Sequence, residues 1–340
     1  MRKIRAEDAV GAVLVHDLTQ IIPGQSKGPR FRKGHVVTVE DIPILLSMGK
    51  EHIYVWEKDE GLIHENEAAE RLARAVAGPG LELSAPREGK VSIRAQDSGL
   101  LYVDEDGLLA LNSLEQVSIA TLHTYRPVTA GQTVGGTRVI PLMIAPSVLT
   151  EAERVAAARP GAIMQVKAFR QLKTGIVTTG SEVYHGRIED KFGPVLRAKL
   201  ATFGCPILGQ AFAPDDANMI RELILMHVHN GAELILVTGG MSVDPDDVTP
   251  TAIKGLGAEL VAYGAPVLPG AMFLLAYLNG IPVLGLPGCV MYAKTTVFDL
   301  ILPRVLAGER LMRQDIARLG HGGLCLECPT CSYPHCSFGK

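Results

Sequence analysis

Between Gly239 and Asp247 the sequence reads GGMSVDPDD: two glycines, one hydroxyl at Ser242, and carboxylates at Asp244, Asp246 and Asp247. Glycine lets backbone N–H groups approach an anion closely. Carboxylates beside a phosphate repel it unless Mg²⁺ or a similar hard cation lies between them. The residue types therefore suit a phosphate-bearing ligand held together with a divalent metal. Two other stretches have a related make-up. VTTGSEVYHGRIEDKFGPV sets Gly180 among Thr179, Ser181 and Glu182, with Asp190 downstream, and GLPGCVMYAKTT runs through Pro287 and Gly288 toward a final helix. Asp215 and Asp216 open a helix, where a carboxylate caps the N-terminus and suits its dipole. For any one of these residues a cap or a turn is the plainer explanation. Three such stretches together favour a ligand site.

All three must be held by strands. From Ile163 onward, apolar strands at 175–179, 206–211, 234–238, 260–263 and 283–286 are expected to alternate with helices at 194–203, 217–229, 249–255 and 292–307. That rhythm predicts an α/β fold, a doubly wound and mostly parallel sheet covered on both faces. Such sheets bind ligands just beyond the carboxyl ends of their strands, which is where the three stretches fall. A smaller mixed and β-rich region precedes it. Residues 1–57 read as a mixed segment, with a helix carrying Ile42, Leu45 and Leu46, a stop at Gly49, and a strand at 53–56 that ends on a core Trp56. Residues 58–168 read as a helix with Ala68, Leu72 and Val76 on one face, then short β runs such as KVSIRA, LLYVDE, QVSIATL and TRVIPLMI. Thr150 and Glu153 are expected as a capping box opening a helix through about Ala158. Residues 169–312 form the expected α/β domain, and 313–340 a cysteine-rich tail.

Composition narrows the classes. The 340 residues are 47% hydrophobic and 20% charged, a globular balance with ample core. A net charge of −3 offers no basic field for nucleic acid or a membrane surface. No run approaches the ~18 apolar residues of a spanning helix, and MRKIRAEDAV lacks an apolar leader. Six cysteines, four of them in the last sixteen residues, speak for a metal or redox tail in a reducing cytoplasm. Cys325, Cys328, Cys331 and Cys336 have the spacing C-x₂-C-x₂-C-x₄-C, whose four thiolates suffice for Zn²⁺ or an iron–sulfur cluster. Cys205 reads as a core thiol and Cys289 as a site-lining one. His227 and His229 diverge on a helix and do not suggest a joint metal site. Lys27, Arg30, Arg32, Lys33 and His35 read first as a solvated basic loop; alternatively they supply cations to an oxyanion across a dimer interface.

The motifs TGSEV…GRIED, GCPILGQAFAPDD, VTGGMSVDPDD and GLPGCV occur in an order that resembles the molybdopterin molybdenumtransferase family over roughly residues 170–310. Gly34–Val55 also looks like a connector of that family. The resemblance implies a molybdopterin-binding domain that inserts molybdate into adenylylated molybdopterin with release of AMP, aided by Mg²⁺. It implies substrate-binding roles for Thr179, Gly180, Ser181, Glu182, Gly239, Gly240, Ser242, Pro269, Gly270, Pro287 and Gly288. Asp190 and Asp247 take the metal- or phosphate-orienting carboxylate roles. Its implied partners are molybdopterin or its adenylylated form, molybdate, a second copy of the chain, and a molybdoenzyme client. Several positions depart from the family. Asp244 stands where the family has glycine, VLPGAMF has lost both lysines of K-P-G-K-P, Cys289 replaces the asparagine of L-P-G-N-P, and D-G-Y-A is absent. A molybdate dianion needs cationic partners that the lysine loop no longer supplies. The alternative is a non-catalytic molybdopterin-binding carrier or sensor with a metal-binding tail.

Overall fold

Strand residues that alternate between two buried faces set the architecture of the second half. The structure, a computed structural model, describes residues 2–22, 24–55, 61–242, 244–245 and 247–340. Trp56 and Asp246, both singled out by the sequence, lie outside the described residues. The chain divides into two compact units: residues 1–95, 103–122 and 131–165, and residues 96–102, 123–130 and 166–340.

In the first unit, Arg2–Arg5 pairs antiparallel with His52–Val55, and Leu18–Ile22 forms a hairpin with Ser26–Phe31. Helix Asp41–Ser47 packs Leu45 into a core with Leu14, Leu18, Phe31 and Ile53, and ends before Gly49 at a φ of 71°. The basic residues 27–33 belong to this hairpin and its exit, where the Lys33 amide donates to Asp17 Oδ1 at 2.7 Å. Helix Glu65–Val76 buries Ala68, Leu72 and Val76 as its periodicity predicts. A four-stranded antiparallel sheet runs in the order Leu81–Leu83, Lys90–Ala95, Thr133–Val139, Val117–Thr121. The expected capping box at Thr150 is corrected. That helix spans Pro146–Ala157, because proline fits a first helical turn whose N–H needs no partner. Thr150 Oγ1 instead bonds back to the Pro146 carbonyl, and Glu153 pairs with Arg71.

The second unit carries a six-stranded sheet in the order Ile207–Ala213, Thr174–Thr179, Leu234–Thr238, Ile281–Leu286, Leu274–Leu278, Glu259–Tyr263. The first four strands are mutually parallel, and the Leu274–Leu278 strand is antiparallel to both its neighbours. Period-2 alternation divides the strand side chains. Ile176, Leu236, Leu275 and Leu284 face helices Phe192–Ala201 and Val297–Leu306. Val177, Val237, Leu274 and Val283 face helices Ala217–His229 and Thr249–Lys254. Each such side chain is worth about 1.5–3 kcal/mol when fully buried, so both faces of the sheet contribute to the core. This is the doubly wound, mostly parallel sheet expected from the sequence. Two details differ. Leu274–Leu278 is an additional strand, turned into the next one by Asn279 and Gly280 with φ of 50° and 84°, the signature of a tight hairpin. The last helix begins at Val297 rather than near 292, because Thr296 and Asp299 form a capping box there. Among the described residues no helix is long and apolar enough to cross a membrane.

Buried His227 sits under the sheet. Its Nε2–H donates to the Ile176 carbonyl at 3.1 Å, and its ring occupies the space that a Cβ at Gly175 would need, with Cγ at 2.6 Å. Burial pushes this imidazole below its ordinary value of 6.5, so the folded state holds it neutral. An unfolded chain takes up the proton first, so this contribution is intact above pH 6.5 and declines as the pH falls below it. The thermal midpoint should therefore drop between about pH 7 and 5.5, and His227→Gln should flatten that slope. Melting curves across this range check it, and an unchanged slope in the variant would contradict it.

Candidate functional site

The order of the parallel strands reverses direction between Thr174–Thr179 and Leu234–Thr238, because the chain first adds a strand on one side and then crosses to the other. Adjacent strand ends splay apart at such a point and leave a crevice. Four strand exits feed it here. Thr179 and Gly180 follow the first strand, Asp215 the second, Gly239 to Ser242 the third, and Pro287 and Gly288 the fourth. Together they line a cavity of about 800 Å³.

The glycines are dictated by close approach. A Cβ on Gly239 would lie 2.1 Å from the Thr179 carbonyl, and one on Gly240 would lie 2.8 Å from Thr249 Oγ1. Both have positive φ, 86° and 55°. Thr179 and Thr249 share a buried hydroxyl contact of 3.1 Å beneath them. The loop beyond is pinned from below by Tyr263, whose hydroxyl donates to the Met241 and Ser242 carbonyls at 3.0 and 3.2 Å. Burial and, second, the nearby Asp247 charge push the Tyr263 phenol up, which keeps it a donor. Asp244 and Asp247 are tied to each other: the Asp247 amide donates to the Asp244 carbonyl, and the Asp244 amide to Asp247 Oδ2.

The residues singled out by the sequence divide into three groups. Thr179, Gly180, Glu182, Gly239, Gly240, Ser242, Asp247, Pro287 and Gly288 line the one cavity. Ser181 and Asp190 are engaged nearby in building its walls. The Ser181 amide donates to Asp215 Oδ2 at 2.9 Å, and the Asp215 amide donates back to Ser181 Oγ. Asp190 accepts from the Phe192 and Gly193 amides and from Gln210 Nε2 at 2.7 Å, so both its oxygens are used in starting the Phe192–Ala201 helix. Pro269 and Gly270 line a neighbouring cavity with Leu324, Cys325 and Glu327; it shares Met272 and Pro287 with the first. Gly270, with a φ of 132°, is required because a Cβ would meet Val297 Cγ1 at 2.6 Å. The four tail cysteines line a third cavity, and Cys289 lies in the second, its thiol pushed up by burial.

Lys191, Glu189 and Asp215 also line the strand-end cavity, and sequence reasoning did not place them there. Asp215 read as a helix cap; the cap is Asp216, which accepts from the Met219 amide. Lys191 follows Asp190 directly and pairs with Glu189. The described lining thus holds Glu182, Glu189, Asp215, Asp244 and Asp247 against a single lysine. An anionic ligand would be repelled from such a wall without a cation between them. Among the described residues no three His, Cys, Asp or Glu side chains converge to hold a metal ion. Mg²⁺ does not need three, since it is commonly held by one or two carboxylates plus substrate phosphates and water.

Residues 175–307 match the family described as probable molybdopterin binding domain. Residues 3–57 match a domain of unknown function. The molybdopterin molybdenumtransferase of Synechococcus elongatus is 26% identical over 163 residues, covering 45% of this chain and 40% of that protein. The enzyme of the same name from Haemophilus influenzae is 26% identical over 157 residues, covering 44% and 38%. The chain thus spans less than half the length of these curated relatives. Their shared name bears out the resemblance drawn from the motifs. Among solved structures, the molybdopterin biosynthesis enzyme MoaB from Thermus thermophilus is 21% identical and covers 41% of this chain and 98% of that one, with a TM-score of 0.34. MoaB from Pyrococcus furiosus, described as a tungsten cofactor synthesizing protein, is 20% identical with a TM-score of 0.33 and covers 40% and 91%.

Two glycines of the strand-end cavity should respond differently to a methyl group. Gly240→Ala forces a left-handed residue against Thr249, which should lower the unfolding free energy by about 1–3 kcal/mol. At Gly288 the nearest atom to a new Cβ is Met291 Cε at 3.9 Å, so Gly288→Ala should stay within about 0.5 kcal/mol. Denaturant titrations of both variants check this, and equal losses would contradict the close approach.

Proposed function

We propose that the strand-end cavity binds molybdopterin or its adenylylated form, and that the chain acts in molybdenum cofactor biosynthesis as a transferase that inserts molybdate and releases AMP. The observation that carries the reading is the convergence of four strand exits, two glycine-bared backbones and five carboxylates on one cavity within the segment that matches the family. Gly239 and Gly240 bring backbone to the phosphate-bearing end of the ligand, and Ser242 supplies a hydroxyl beside it. Met241, Met272 and Met291 border the same cavity, an adaptable apolar surface for the pterin.

The carboxylates fit a divalent cation shared with phosphate. Asp247 and Asp244, fixed by their mutual backbone bonds, are the residues that would hold Mg²⁺, with Asp215 and Glu182 across the cavity. Mg²⁺ would neutralise pyrophosphate charge as AMP leaves. Asp190 is assigned a positioning role instead, since both its oxygens already hold the Phe192–Ala201 helix and Gln210. Lys191, next to it, is assigned the cationic contact to molybdate that the family's lysine loop supplies elsewhere.

Incubation of the purified chain with adenylylated molybdopterin, molybdate and Mg²⁺ tests this directly. AMP should be released, and Asp247→Asn should slow release roughly 10–100-fold, the usual cost of altering a metal's protein surroundings. Lys191→Ala should raise the molybdate concentration needed for half-maximal rate with little change at saturation, the mark of lost binding. Tight ligand binding with no AMP release in the unaltered chain would contradict the transferase and leave a non-catalytic binder.

A further inference from the structure

We propose a second site, independent of the pterin reading: the four C-terminal cysteines hold an iron–sulfur cluster in the cavity they line against the start of the last long helix. Cys325, Cys328, Cys331 and Cys336 all border one cavity of about 250 Å³, and all four are free thiols. Their spacing differs from a ferredoxin-type C-x₂-C-x₂-C-x₃-C run by one residue in the last gap.

The tail is folded to present them. The Leu268 amide donates to the Gly323 carbonyl and the Cys325 amide to the Leu268 carbonyl, each at 2.8 Å, which fixes the first cysteine beside Pro269. Lys294 Nζ donates to the Pro329 carbonyl at 3.0 Å, and Thr295 Oγ1 lies 3.2 Å from Cys331 Sγ. The Tyr333 hydroxyl donates to the Asp299 carbonyl at 2.9 Å, and Phe338 is buried in the main core. These contacts hold all four cysteines around one cavity. Tyr333 and the buried Phe338 form the inner, apolar side of the cavity, its outer side is open at Cys328 and Cys331, and Lys294 offsets part of a cluster's negative charge.

The sequence spacing, one residue from the ferredoxin-type run, favours a cluster over a lone ion. Among the described residues no three His, Cys, Asp or Glu side chains are gathered to hold a metal ion, so the four thiols that border this cavity close in as the cluster assembles. The site also borders the binding domain's own loops: Pro269, Leu324, Cys325 and Glu327 line both this cavity and the neighbouring one that contains Met272 and Pro287.

The full chain should be purified anaerobically and reconstituted with ferrous iron, sulfide and a thiol reductant. The expected result is about four iron and four acid-labile sulfide per chain, with broad visible absorbance that bleaches on reduction. The Cys328→Ser, Cys331→Ser double variant, altered at two exposed positions, should lose iron and sulfide together, whereas Cys205→Ser should keep both. Circular dichroism melting of the double variant monitors the fold, and single variants serve if the double one does not fold. Stoichiometric zinc without labile sulfide, or no metal and no sulfide after reconstitution, would overturn the cluster. The readout is metal and sulfide rather than pterin, so neither site's failure can be mistaken for the other's.

Discussion

The approach of Gly239 to the Thr179 carbonyl is the constraint on which the site depends. Two parallel strands that part at their carboxyl ends normally leave a wide gap, yet here the exits are drawn together until no Cβ fits between them. Threonines 179 and 249 join hydroxyls beneath the gap, and the loop above is held from below by Tyr263. The backbone of residues 239–242 is thereby offered to the cavity by contacts on its buried side. The polar lining of the cavity follows from the direction in which this loop leaves the sheet.

Charge then selects what can enter. A wall with five carboxylates and one lysine is hostile to a bare anion and hospitable to an anion that arrives with a cation. The buried side of the wall is already satisfied: Asp190 spends its oxygens on two amides and Gln210, and Asp215 holds the Ser181 amide. These bonds make the acidic residues part rigid scaffold and part ligand surface. The proposed division of labour, with Asp190 positioning and Asp247 facing the ligand, rests on which oxygens remain uncommitted.

Much of this was legible in the sequence where local rules decide. Leu234–Thr238 and Ala217–His229 match the expected bounds, because a continuous apolar run and an Asp216 cap leave little choice. The strand Leu274–Leu278 was missed, although Asn279–Gly280 is a strong hairpin signal; its apolar run carried no alternation because both of its faces are buried. The cavity's glycines were legible as types, and their collisions with Thr179 and Thr249 supply the reason. Partners from other elements were not legible. Asp190, in the loop before the Phe192–Ala201 helix, meets Gln210 of the Ile207–Ala213 strand only through the tertiary fold, and Lys191 beside it lines the cavity. Pro269 and Gly270, assigned by resemblance, stand behind Met272 and Pro287 in the next cavity, since the backbone bonds of Leu268 to Gly323 and Cys325 draw this turn toward the tail.

Retention of molybdopterin by the purified chain is the most direct measurement of the central claim. The protein is mixed with molybdopterin under anaerobic conditions and Mg²⁺, passed through a desalting column, and the bound pterin quantified by mass spectrometry after oxidation. About one pterin per chain, displaced by excess adenylylated molybdopterin, is the result expected of a single strand-end cavity of this design. A chain that passes the column without pterin, while its melting curve shows it folded, would contradict it.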